Sequence, residues 1–200
     1  MRAALFGLAV TLMCETVSAA APTPRDVEGP FFPDVLPSDV DDDLTTIRGH
    51  VGSARGERIR LGGRVLDTDG NALAGVRIEL WQTDAGGRYI HSGDPLPGQR
   101  DPDFQGFGAA TSDEAGRYRF TTVVPAGYAS RPPHFHVRLL RGGHEFLITQ
   151  LYLPRQSGER GIDSGRLSLR EASQTVRLGR TADGTLSGVF DFVLGGVKAP

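Results

Sequence analysis

Cysteine is almost absent from this sequence, and its single occurrence, Cys14, lies inside an N-terminal apolar segment. A chain processed beyond that segment has neither disulfides nor thiolate metal ligands, so any metal must be held by nitrogen and oxygen. No stretch carries a run of lysine or arginine, and the formal net charge is only −2. Affinity for phosphate backbones rests on clustered basic side chains, so a nucleic-acid partner is not expected. The apolar stretch from Ala3 to Met13 is far shorter than the roughly 20 residues a membrane-spanning helix needs. A long amphipathic helix is also missing, although Leu167 to Ala172 suits a turn or two. There is no internal repeat, low-complexity tract or second domain. A small molecule is the partner this leaves.

What is present begins with Met1-Arg2, a short positive start to the apolar segment. The small residues from Val17 to Ala21 then offer cleavage near Ala19 or Ala20. Residues 1–20 therefore read as a signal peptide, and the protein as exported to a periplasm or secreted. Cys14 is a poor lipidation site because Met13, rather than a small residue, precedes it.

Residues 21–57 are rich in proline and acid, with Gly29-Pro30-Phe31-Phe32-Pro33 at the centre. They read as an extended N-terminal arm laid over the domain, anchored by the two phenylalanines. From residue 58 to 200 the pattern is one of short strands. Arg60 to Leu66 precedes the turn Asp67-Thr68-Asp69-Gly70-Asn71. Val76 to Trp81 and Arg117 to Val123 alternate with period 2. His134 to Leu140 and Phe146 to Leu153 flank the turn Arg141-Gly142-Gly143, and Gly188 to Leu194 makes a last strand. With 27 glycines and 13 prolines punctuating them, these strands predict an all-β protein: a two-sheet β-sandwich with long loops.

The sharpest local feature is Arg131-Pro132-Pro133-His134-Phe135-His136. Residues i and i+2 of a strand project from one face, so His134 and His136 aim two imidazoles at one point. The prolines stop the strand from extending backwards and set the pair at its entrance, where loops can add ligands. Tyr128 precedes His134 closely enough to fold back beside it, and Tyr89 follows a Gly86-Gly87-Arg88 turn. Taken singly, either tyrosine reads as a sheet-edge residue with its hydroxyl in water. On spacing alone, the histidine pair reads equally well as a half-exposed surface pair. His50, His91 and His144 lie in turn-like regions and read as exposed histidines.

Together these segments resemble the intradiol ring-cleaving dioxygenases, in particular the protocatechuate 3,4-dioxygenase β-chain type and its short, exported, single-chain relatives. The matching stretches run in the family's order. They are Thr23-Pro24 with Glu28 to Phe32, Trp81 to Asp84 with Gly87-Arg88-Tyr89, and Asp101 to Phe104 with Gly106-Phe107-Gly108. Thr111 to Phe120 follows, then Pro125 with Tyr128, Arg131, Pro133, His134 and His136, and finally Thr149 to Tyr152. The resemblance implies a non-haem Fe(3+) held by Tyr89, Tyr128, His134 and His136. Phenolate oxygen and imidazole nitrogen both suit ferric iron, and two phenolates plus a hydroxide would neutralise its three charges. It further implies that Tyr128 leaves the metal when substrate binds, that Arg131 stabilises charge on the substrate, and that Gln150 contacts the site from the neighbouring strand. The implied partners are an ortho-diphenol and O₂; a homo-oligomer is left open. Larger relatives carry an insert between the second tyrosine and the arginine, whereas here only Ala129-Ser130 intervenes. In two-chain relatives, a second kind of chain completes the pocket.

Two other readings compete. A transthyretin-like or carboxypeptidase-associated binding module would fit the Gly63–Trp81 stretch but gives no reason to gather tyrosines around His-x-His. A ferrous centre with two histidines and Asp101 or Glu145 would be another enzyme solution; a zinc hydrolase suits the tyrosines less.

Overall fold

The computed structural model describes residues 19–95, 98–129, 131–154 and 172–199. Cys14, nearly all of the expected signal peptide and nearly all of Leu167 to Ala172 lie outside these residues.

Among the described residues, nine strands form two sheets: β1 (Arg58–Asp67), β2 (Arg77–Trp81), β3 (Phe107–Thr111), β4 (Arg117–Val123), β5 (His134–Arg141), β6 (His144–Tyr152), β7 (Arg177–Arg180), β8 (Leu186–Val189) and β9 (Phe192–Leu194). One sheet runs β4-β1-β8-β7 with β9 also on β1; the other runs β3-β2-β5-β6. The expected two-sheet β-sandwich is what forms. Most neighbours are antiparallel, but β1 pairs in parallel with β8 and β9.

Alternation decides what lies between the sheets. Ile78 and Leu80 of β2, Phe135, Val137 and Leu139 of β5 and Leu151 of β6 are buried with Ile59, Leu61 and Val65 of β1 and Phe120 of β4. Their neighbours in sequence necessarily face outward. On β5 those outward residues are His134, His136 and Arg138. In register, Trp81 stands opposite His136 on one side and Gln150 on the other. The outer face of this sheet thus carries a row Trp81–His136–Gln150. It is covered rather than left to water.

The cover is the segment before β1. Asp26 N donates to Ile148 O at 2.9 Å, Thr149 Oγ1 to Pro24 O at 2.8 Å and Gln150 Nε2 to Val27 O at 2.9 Å. Beyond them, Phe32 packs edge-on against Trp81 and Phe107, with Arg138 stacked over its ring. A second, smaller apolar cluster results, built from Trp81, Tyr89 and Phe107 with Phe31, Phe32, Val40, Ile90 and Tyr128 around them.

Two strands, β3 and β7, have no counterpart in the sequence pattern. The expected single strand from Gly188 to Leu194 is broken in two. Phe190 N donates to Gly62 O at 2.9 Å, and Asp191 Oδ1 accepts from Arg64 N at 2.8 Å, so the chain steps between two registers on β1.

Candidate metal centre

His134 and His136 enter from β5, pointing out of the sandwich and into the aromatic cluster. Each is 2% exposed. Tyr89 arrives from the β2–β3 connection, also 2% exposed, with its hydroxyl 3.3 Å from His134 Nε2 and 3.1 Å from His136 Nε2. The two Nε2 atoms are themselves 3.1 Å apart. Three polar atoms from two elements therefore form a nearly equilateral triangle. Tyr128 completes the group, its ring centroid 5.3 Å from that of Tyr89 and 5.7 Å from that of His134. Neither tyrosine behaves as the sheet-edge residue that each suggests singly.

Loop bonds bring the two tyrosines together. Thr83 Oγ1 donates to Ala126 O at 2.8 Å, and Ala126 N donates to Asp84 O at 3.2 Å. These clasp the connection bearing Tyr89 to the one bearing Tyr128. Tyr128 and Arg131 then face each other across a tight turn, with Arg131 N donating to Tyr128 O at 2.8 Å. Ala129 takes a left-handed φ of 48° there. Tyr128 and Arg131 are thereby bridged backbone to backbone.

The protonation states suit a cation. Burial, reinforced by the charge of Arg131, lowers His134 to about 4 despite the opposing bond from its ring to Pro132 O. Burial, then His134 and Arg131, puts His136 well below the ordinary range. Both imidazoles are neutral at pH 7. His134 Nδ1 lies 2.7 Å from Pro132 O; donating its proton there leaves the Nε2 lone pair aimed at the triangle. His136 Nδ1 is buried with no hydrogen-bond partner among the described residues. Burial raises the Tyr89 phenol, and Tyr128 beside it raises it further. A phenol so placed ionises only if a positive charge joins it.

The donor set fits a metal ion. Donors about 2.1 Å from one ion stand about 3.0–3.4 Å apart for bond angles between square and tetrahedral, and all three edges fall in that range. No three histidine, cysteine, aspartate or glutamate side chains gather at one point among the described residues. The carboxylates of the ferrous alternative are engaged elsewhere. Asp101 accepts from Arg55 N at 2.7 Å, and Glu145 pairs with Arg25 at 2.6 Å.

Arg131 and Gln150 meet through Arg131 Nη2 and Gln150 Oε1. Gln150 is fully buried and also receives Tyr152 Oη at 3.2 Å, so it links the arm, β6 and the arginine. Of the other histidines, His50 and His144 are exposed, but His91 is half-buried and lies edge-on to Phe31. Phe31, expected as an anchor of the arm, also enters the site: it stacks on Tyr89 at 5.1 Å and meets Tyr128 edge-on. Trp81 stacks on His136 at 5.0 Å and 12°.

A sandwich that gathers two phenols and two imidazoles under an aromatic arm is built for small-molecule chemistry, and its kin agree. The family described as Dioxygenase matches residues 27–160. The protocatechuate 3,4-dioxygenase beta chain of Burkholderia cepacia is 39% identical over 140 residues, covering 65% of this chain and 59% of that protein. Catechol 1,2-dioxygenase of Acinetobacter baylyi is 30% identical over 151 residues, 64% of this chain and 45% of that protein. The chain spans about half the length of these curated relatives. Among solved structures, the dioxygenase domain of a dioxygenase carbohydrate-binding protein fusion from Streptomyces sp. SirexAA-E superposes with TM-score 0.64 at 28% identity, covering 88% of this chain and 99% of that one. An intradiol ring-cleavage dioxygenase from Tetranychus urticae shares the fold at TM-score 0.67 and 19% identity, over 90% and 98% of the two chains. The chain belongs to the intradiol dioxygenase family.

Proposed function

We propose that this protein is an exported ferric dioxygenase that opens the ring of an ortho-diphenol between its two hydroxylated carbons. The observation that carries the reading is the triangle of Tyr89 Oη, His134 Nε2 and His136 Nε2, with edges of 3.1–3.3 Å. Tyr128 stands beside it as the fourth ligand. The phenol-rich donor set favours a hard, highly charged cation such as ferric iron. Bound there, iron would supply the Lewis acidity that ionises a diphenol and the redox character that opens it to O₂. The overall conversion adds both oxygen atoms: catechol plus O₂ gives cis,cis-muconic acid.

This chain's own groups do the rest. Tyr128 is less buried than Tyr89, which suits it to give up its place to substrate and to take a substrate proton on its phenolate oxygen. Arg131 lies close enough for its charge to act on Tyr89, His134 and His136. It would stabilise negative charge on the substrate oxygens as the ring becomes ketone-like. Gln150 holds that guanidinium in place. Phe31 supplies an apolar wall and excludes water. Export follows from residues 1–20, read as a cleaved signal.

The test is a visible spectrum and metal analysis of the purified protein with and without catechols. About one iron per chain and a phenolate-to-iron charge-transfer band that shifts on adding catechol are expected. A colourless protein shown to be fully iron-loaded would overturn the assignment.

A further inference from the structure

Tyr89 stands in no strand, so the position of its phenol depends on how its loop is held. Two buried carboxylates grip consecutive peptide groups there. Asp84 Oδ1 accepts from Arg88 N at 2.9 Å, and Asp94 Oδ2 accepts from Tyr89 N at 2.8 Å. Asp84 is spread over the whole turn, also taking Gly86 N at 2.8 Å and Asp101 N at 2.8 Å. Asp94 reaches the tyrosine itself. Its same oxygen accepts from Arg88 Nε at 3.0 Å, so a single atom ties the arginine side chain to the tyrosine amide.

The pair is withdrawn from water. The Asp94 side chain is 0% exposed and that of Arg88 15%. Arg88 continues outward through Nη1 to Gly98 O at 2.8 Å and Nη2 to Asp94 O at 3.3 Å. A buried ion pair is a costly way to gain stability, and its better-attested use is to fix one geometry among several. Here the geometry fixed is that of the residue whose oxygen completes the triangle with the histidines. We infer that Asp94, together with Arg88, is a positioning residue that sets the Tyr89 phenol against His134 and His136. This rests on the ferric reading above. Asp94 touches neither substrate nor metal; it acts through Tyr89.

The test is Fe³⁺ affinity by competition with a chelator, together with the wavelength of the phenolate band, in four proteins: wild type, Asp94→Ala, Tyr89→Phe and the double variant. Partners behind a metal ligand typically contribute 10–100-fold to affinity, so Asp94→Ala should weaken Fe³⁺ binding by about 10–100-fold and shift the band. In the Tyr89→Phe background the same change should weaken binding by less than about 2-fold, because the group it acts through is gone. Asp94→Asn keeps an oxygen for both bonds but loses the charge facing Arg88, and should weaken binding less than Asp94→Ala does. Should Asp94→Ala leave Arg88 unpaired and the chain unfolded, Arg88→Met/Asp94→Ala takes its place, since it strands no charge. Unchanged affinity and band in Asp94→Ala would overturn the positioning role, as would equal losses with and without the Tyr89 hydroxyl. Wild-type protein that takes up no Fe³⁺ would overturn the ferric reading and this inference together.

Discussion

Gly29 of the arm lies directly against the imidazole of His136: a β-carbon at position 29 would stand 2.9 Å from His136 Cε1. The backbone there has φ +80°, which only glycine adopts freely. Gly29→Ala should therefore strain the backbone by about 1–3 kcal/mol and also push the imidazole or lift the arm. Gly70 is a matched control, with φ +85° and nothing within 4 Å of an added β-carbon. Thermal unfolding and iron content should both fall further in Gly29→Ala than in Gly70→Ala. Equal behaviour of the two variants would mean that the arm does not bear on the site.

His134→Ala and His136→Ala should each abolish iron retention, because each removes one ligand of a strand-borne pair. His144, exposed at the start of β6, should be replaceable without iron loss. Metal analysis after dialysis against a chelator decides it; equal losses in all three variants would place the metal elsewhere.

Arg131→Ala should still bind catechol and shift the visible spectrum while turning over on the order of 10²–10³ more slowly, the usual effect of losing one electrostatic donor to developing charge. The product of the wild-type enzyme should be of the cis,cis-muconate type. A semialdehyde, cut outside the two hydroxyls, would contradict the ferric mechanism.

Acid should destabilise the fold partly through Asp67. Burial pushes this carboxyl up, but bonds from Asn71, Ala199 and Asp69 outweigh it and bring it down to about 2. A carboxylate with a depressed folded-state value stabilises fully above its unfolded value of about 3.9 and loses that contribution as pH falls towards about 2. The unfolding midpoint should drop between about pH 4 and pH 2, and Asp67→Asn should flatten the drop. An unchanged slope in that variant would remove Asp67 from the account.

The alternating strands were legible because apolar side chains line the face of each that packs between the sheets, as in Val76 to Trp81 and Arg117 to Val123. β3 was hidden because its Phe-Gly-Ala-Ala-Thr has little strand preference. Its Gly108 exists for another reason: a β-carbon there would meet Asp41 O at 2.5 Å, where the arm crosses. β7 was hidden because all four of its residues are exposed, leaving no period to read. In the site, the His-x-His spacing disclosed the pair, and resemblance supplied the tyrosines. What no local pattern discloses is that the histidines face out of the sandwich, since an arm distant in sequence makes that face an interior. Asp94 was silent too, as an aspartate in a Gly-Pro-rich loop looks like turn chemistry.

The parallel pairing of β1 has a consequence for how the chain is made. Its register sets Ile59 beside Leu186 and Val65 beside Phe192, so the central strand of one sheet waits for strands that are synthesised well after it. Until they emerge, a nascent chain carries β1 with one edge open, the kind of edge that invites pairing with other chains. Folding cannot proceed domain-start to domain-end as the polypeptide appears. The sheet is complete only once β8 and β9 have emerged to pair with β1.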